Sequence, residues 1–116
     1  MFALNFQSPH HEELLRRRAK NCTVRMGDVR DKYAENSLVW ITVGKKMCPR
    51  IKLYQAIIDK VIIKQFSQLT AEELLHQNTN METKEELMKC FESLYCRAIL
   101  PDDTVSVIYF SEVIKE

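Results

Sequence analysis

Lys20-Asn21-Cys22-Thr23-Val24-Arg25-Met26-Gly27-Asp28 is the stretch on which the fold turns. It is rich in β-formers and alternates polar with apolar residues, so Cys22, Val24 and Met26 share one strand face while Asn21, Thr23 and Arg25 share the other. Gly27 and Asp28 then turn the chain. Upstream, Phe2, Leu4 and Phe6 alternate with Ala3 and Asn5, the period of a first strand with one face on a core. Between these strands Ser8 supplies an N-cap oxygen and Pro9 fits the first helical position. Glu12 and Glu13 sit near the positive end of the dipole and Arg16 to Arg18 near its negative end, which predicts a helix from about Pro9 to Ala19.

Downstream, a polar connection leads to Leu38-Val39-Trp40-Ile41-Thr42-Val43, a strongly apolar strand ending at Gly44 and expected to be central. Lys45 to Pro49 read as a loop. The segment from Lys52 to Phe66 is too β-branched for a comfortable helix, and its apolar doublets predict a long strand that is partly buried on both faces or bent by a bulge. Thr70 with Glu73, and Thr83 with Glu86, have capping-box spacing, and each opens a helix. In the second, Leu87, Cys90, Phe91, Leu94 and Tyr95 form an apolar stripe for packing on a sheet. A last strand follows at about Thr104 to Phe110. Strands at both ends with helices between them predict an α+β fold, a small mixed β-barrel with about three helices packed around it, in a single domain over residues 1–116.

A chain of 116 residues can bury one core without staples, and 46% apolar with 28% charged residues is an ordinary globular balance. No apolar stretch approaches bilayer length, and the first residues lack both a basic leader and a long apolar segment, so a cytoplasmic protein with no membrane attachment is expected. Cys22, Cys48, Cys90 and Cys96 contain no C-x-x-C pair, and free thiols are expected in such a compartment. With His10, His11 and His76 they offer no metal-ligand spacing, so no metal is expected, and no cofactor either. The net charge of +1 hides a division. Residues 1–66 carry thirteen Lys or Arg against six Asp or Glu, and residues 67–116 carry four against ten, or about +7 and −6. A basic half of this kind suits phosphate, although the two halves can also neutralise each other across a fold.

The segment from Lys20 to Asp28, with a lysine followed by Thr, an apolar residue and Arg at a strand opening, resembles the signature of the ASCH family. Further along, Tyr33 in its polar run, Ile57 to Phe66 leading into Ser67-Gln68-Leu69-Thr70, the helix ending at Leu94 and Tyr95, and the Val105 to Phe110 strand resemble that family in order and spacing. The resemblance spans most of the chain. It implies a PUA-like barrel with a cleft between barrel and helices, and RNA or a nucleoside or nucleotide as ligand. Where the family usually has a glycine before the third strand, this chain has Glu35, Asn36 and Ser37, of which Asn36 tolerates a left-handed turn. Some small bacterial members that this chain resembles hydrolyse N4-acetylcytidine with a lysine and a threonine matching Lys20 and Thr23 and a glutamate near the last helix. Here the matching stretch is Gln77-Asn78-Thr79-Asn80-Met81, and the nearest carboxylate is Glu82. An amide cannot take up a proton as a carboxylate does, so binding is expected rather than turnover.

For nucleic acid, the candidate contacts are Lys20, Thr23, Arg25, Lys45, Lys46, Arg50, Lys52 and Tyr54. Thr23 and Arg25 project from one strand face, and arginine offers a planar fork suited to phosphate or a base edge. Lys20 has the opposite parity but a flexible stem at the helix-to-strand junction. The plainer alternative pairs Arg25 with Asp28 or Asp31. Tyr54 is read as a base-stacking aromatic and Trp40 as core. Cys22, on the apolar side, is not expected to be a nucleophile. Three functions stay open: an RNA- or nucleotide-binding module, a small amidohydrolase using Lys20, Thr23 and Glu82, and a domain whose basic half meets a protein partner.

Overall fold

The computed structural model describes residues 1–77 and 83–114, the side chains of residues 76 and 77 excepted. Five strands, β1 (Phe2–Phe6), β2 (Cys22–Met26), β3 (Leu38–Val43), β4 (Ile51–Gln65) and β5 (Thr104–Glu112), form one mixed sheet in the order β1-β3-β4-β5-β2. Three helices, α1 (Pro9–Arg16), α2 (Ala71–Gln77) and α3 (Lys84–Tyr95), accompany it, with a short 3-10 turn at Phe66–Gln68. The fold is the expected small α+β barrel type, but it is a half-barrel, open along the seam where the edge strands β1 and β2 face each other.

β4 is the spine. Its first half pairs antiparallel with β3, Ile57 opposite Leu38, and its second half pairs antiparallel with β5, Gln65 opposite Thr104. A register shift between Ile58 and Lys60 leaves Asp59 outside the ladder, and this is the bulge that the apolar doublets predict. The neighbouring loop fastens the kink: Val61 N–H donates to Glu35 Oε1 at 3.1 Å and Asn36 N–H to Ile58 O at 2.7 Å. Asn36 takes the left-handed conformation, φ 66°, which asparagine accepts more readily than most residues.

Curling divides the apolar residues into two cores. Inside the barrel lie Leu4, Phe6, Val39, Ile41, Ala56, Ile58, Ile108 and Phe110, plugged at one end by Leu15 of α1. On the other side of β2 and β5, Cys22, Val24, Met26, Val105 and Val107 meet Leu74 of α2 and Leu87 and Phe91 of α3. β2 is therefore buried on both faces, since Thr23 is 1% exposed.

Helix α1 ends earlier than the residue pattern predicts. Arg18 N–H donates to Leu15 O at 3.0 Å and Ala19 N–H to Leu14 O at 2.8 Å, with Arg18 left-handed at φ 59°. These are the two bonds of a Schellman closure, formed here around an arginine where glycine is usual. Interactions of the Arg18 side chain compensate: it pairs with Glu112 at 2.9 and 3.1 Å and lies 4.2 Å over the Tyr54 ring.

Candidate functional site

The open seam of the barrel is a cleft of about 390 Å3. Its floor and walls come from the end of β1 (Asn5, Phe6), the start of α1 (Ser8, His11), the inner face of β2 (Thr23, Arg25) and α3 (Leu94, Tyr95). The seam arises because, among the described residues, β1 pairs only with β3, in parallel, and β2 only with β5, antiparallel, so each turns an edge without a strand partner toward the other.

Arg25 spans the gap. Its Nη2 donates to Asn5 O at 2.7 Å, and its guanidinium carbon sits 4.9 Å from the Phe6 ring centroid. Its Nε is enclosed and has no hydrogen-bond partner. Burial lowers the Arg25 pKa, as expected of a guanidinium taken out of water without a carboxylate beside it. Asn5 is the hub beneath. Its Nδ2 donates to Gly44 O at 3.0 Å, its Oδ1 accepts from Thr42 Oγ1 at 2.8 Å, and its carbonyl receives Arg25.

Lys20 does turn inward. It is 4% exposed, its Nζ donates to Cys22 O at 2.7 Å, and it lies 5.8 Å from the Phe6 centroid, so Lys20 and Arg25 both approach one ring. It lines a second, smaller cavity of about 250 Å3 with Arg18, Tyr54 and Glu112, not the main cleft. Burial lowers its pKa to about 7, with Arg25 adding to the effect and Cys22 opposing it. Burial pushes the Cys22 thiol up to about 11, in keeping with an inert core cysteine. Among the described lining residues of the cleft there is no Asp or Glu.

The other candidates separate. Lys45, Lys46, Arg50 and Lys52 are exposed on the β3–β4 hairpin and do not line the cleft. The hairpin is nevertheless tied to its rim, because Gly44 N–H donates to Phe6 O at 3.1 Å and Gly44 O receives Asn5. Tyr54 is a correction: it is 8% exposed, inside the barrel under Arg18, and cannot stack on a base. Trp40 is the converse correction, since Val39 and Ile41 point inward and Trp40 outward, half-buried, with Lys52 Nζ 4.7 Å from its ring. Arg25 pairs with neither Asp28 nor Asp31; Asp28 holds Arg30 at 2.6 Å instead. Glu82 and the stretch at residues 78–81 lie outside the described residues.

Several contributors were not among the site residues read from the sequence. Tyr33 is buried and its hydroxyl donates to Ala3 O at 2.8 Å, pinning β1. His11 packs edge-on against Phe6 at 6.0 Å. Tyr95 lines the cleft, and its hydroxyl accepts from Met26 N–H at 3.3 Å. Cys90 and Leu94, read as part of the packing stripe of α3, are exposed and border the cleft, while Leu87 and Phe91 carry the packing.

No family model matches the chain, and no curated protein does. Solved structures do. An ASCH domain from Lactobacillus crispatus JV V101 aligns over 95% of this chain and 77% of its own, with TM-score 0.65 and 12% identity. The protein EF3133 from Enterococcus faecalis V583, of family-model DUF984, aligns over 87% of this chain and 68% of its own, with TM-score 0.62 and 15% identity. The hypothetical protein PH0355 aligns over 97% and 98%, with TM-score 0.67 and 13% identity. The chain therefore has an ASCH-type fold; at such identities the likeness concerns backbone architecture alone.

Proposed function

We propose that this ASCH-fold chain is a binding module for RNA or a nucleotide, held in the cleft at the β1/β2 seam. The carrying observation is a cleft lined by the half-buried guanidinium of Arg25, beside an aromatic ring, with no carboxylate among its described lining residues. A guanidinium with no carboxylate beside it presents a charged donor fork, and an acceptor oxygen of a base or phosphate would engage its accessible edge. Phe6, Leu94 and Tyr95 supply an apolar wall for a planar ring. Lys45, Lys46, Arg50 and Lys52, on the hairpin tied to the rim, suit the phosphates that follow. Titration with nucleosides, mononucleotides and labelled RNA at two salt concentrations tests this. Binding that weakens with salt and is lost in Arg25→Leu is expected. If nothing binds above a neutral control protein, the reading gives way to a protein-partner domain.

One observation favours a second reading, an amidohydrolase acting on N4-acetylcytidine-type nucleosides. A lysine with a pKa of about 7 is substantially neutral at physiological pH and able to act as a nucleophile or base. Lys20 opens into the smaller cavity, whose carboxylates are Asp59 and the Arg18-bound Glu112. Thr23 lines the main cleft, where no acid stands among the described residues, so binding of N4-acetylcytidine without turnover is expected. Robust turnover abolished by Lys20→Ala would establish the hydrolase.

A further inference from the structure

We propose that the outer face of β3 and β4, centred on Trp40, is a second nucleic-acid surface: an unpaired base of a single strand stacks on Trp40 while adjacent phosphates run along the β3–β4 hairpin. The inference rests on the nucleic-acid reading of the cleft but concerns the opposite side of the sheet. Alternation sends Val39, Ile41 and Val43 into the barrel and turns Leu38 and Trp40 outward. The cross-strand neighbours of Trp40 are Ala3 and Gln55, one small and one polar, and the half-buried indole borders a hollow shared with Gln55, Val113 and Ile114. Around it Leu38 is 46% exposed and Ile114 80% exposed. The helices pack elsewhere, α1 at the barrel end and α2 and α3 against β2 and β5.

Charge decides what such a face takes. From Asn36 to Ile58 the chain contains four cations, Lys45, Lys46, Arg50 and Lys52, and no Asp or Glu. Lys52 already lies 4.7 Å over the Trp40 ring, and Glu112, the carboxylate that borders this face among the described residues, is held by Arg18 at 2.9 and 3.1 Å. An aromatic plane edged on its hairpin side by cations matches a ligand that alternates flat bases with anionic phosphates. A second copy docked face to face would instead bring two sets of four cations together, since an isologous contact repeats the same patch on both sides.

Trp40 is the single tryptophan of the chain, so its fluorescence reports this face alone. The full chain is titrated with a single-stranded RNA 12-mer and, separately, with a mononucleotide. The 12-mer is expected to quench Trp40 emission and the mononucleotide to leave it unchanged. In fluorescence anisotropy with labelled 12-mer, Trp40→Leu should bind roughly tenfold more weakly. Trp40→Phe, which keeps a ring, should stay near wild type and so excludes misfolding as the cause. Lys52→Gln should reduce the slope of log K against log salt by about 0.7, one phosphate contact on a single strand. Full-affinity binding of the 12-mer with unchanged emission, and unchanged affinity in Trp40→Leu, overturns the platform and leaves the cleft reading standing. Quenching by the 12-mer with no mononucleotide binding supports the platform and counts against the cleft. Failure of both ligands to bind sinks both readings, and an emission change that follows protein concentration together with dimerisation gives this face to a second copy.

Discussion

A lysine held at 4% exposure makes stability rise with pH over a range in which most proteins change little. The folded pKa of Lys20 is about 7 against 10.5 for a free lysine, so between those values the unfolded chain binds the extra proton and stability climbs with pH. Cys22 runs the other way. Its folded pKa of about 11 exceeds the usual 9, so stability is lost as pH rises from 9 toward 11. The two slopes predict a rise from about pH 7 to 9 and a plateau above. Lys20→Met should raise the melting temperature at pH 7 and flatten the rise, with a ceiling on the order of 5 kcal/mol at neutral pH. Thermal melts of both proteins across this range check it; a slope unchanged by the substitution contradicts the burial of the amine. Legibility at this scale is mixed. Strict alternation in Cys22 to Met26 was enough to put Thr23 and Arg25 on one face. The unbroken apolar run from Leu38 to Val43 carries no such contrast, so the outward turn of Trp40 was not visible, and the apolar doublets around Tyr54 concealed its inward one.

Among the elements, α2 is fastened at its start by one side chain, Glu73. Thr70 and Glu73 form the full capping box, with Thr70 N–H donating to Glu73 Oε1 at 2.8 Å and Glu73 N–H to Thr70 Oγ1 at 3.2 Å. The same carboxylate receives Lys64 of β4 at 2.8 and 3.0 Å, so it ties the helix to the sheet as well. Burial pushes the Glu73 pKa up, but the bonds from Lys64 and Thr70 outweigh it and hold the carboxyl below the usual range. Its stabilisation is therefore complete above an ordinary carboxylate pKa and is lost as pH falls through the lower folded value. Glu73→Gln should cost about 2–4 kcal/mol in denaturant melts at pH 7 and little at pH 2. An equal cost at both pH values would locate the effect in packing instead. The S/T-x-x-E spacing made both helix starts legible. The end of α1 was not, because its left-handed residue is an arginine stabilised by Glu112, ninety-four positions away.

For the whole molecule, the order of elements pointed to a curled mixed sheet, but whether β1 and β2 would meet or stay apart depends on backbone pairing that no local pattern records. They stay apart, bridged by Arg25, and the cleft is that gap. Its two walls are held by distant partners: β1 by residues 39–43 and β2 by residues 105–109. This has a consequence for the order of assembly. The β3–β4 hairpin forms from near neighbours, whereas β2 has no strand beside it until β5 arrives some eighty residues later in the chain. Non-local pairings of this kind form slowly. In refolding, Trp40 emission should report the hairpin early and cleft binding should recover in a later phase; simultaneous recovery would mean that the sheet closes in one step. On the ribosome the same ordering leaves a nascent chain with β2 unpaired until residues 104–112 have emerged, and during that interval the cleft lacks one of its walls.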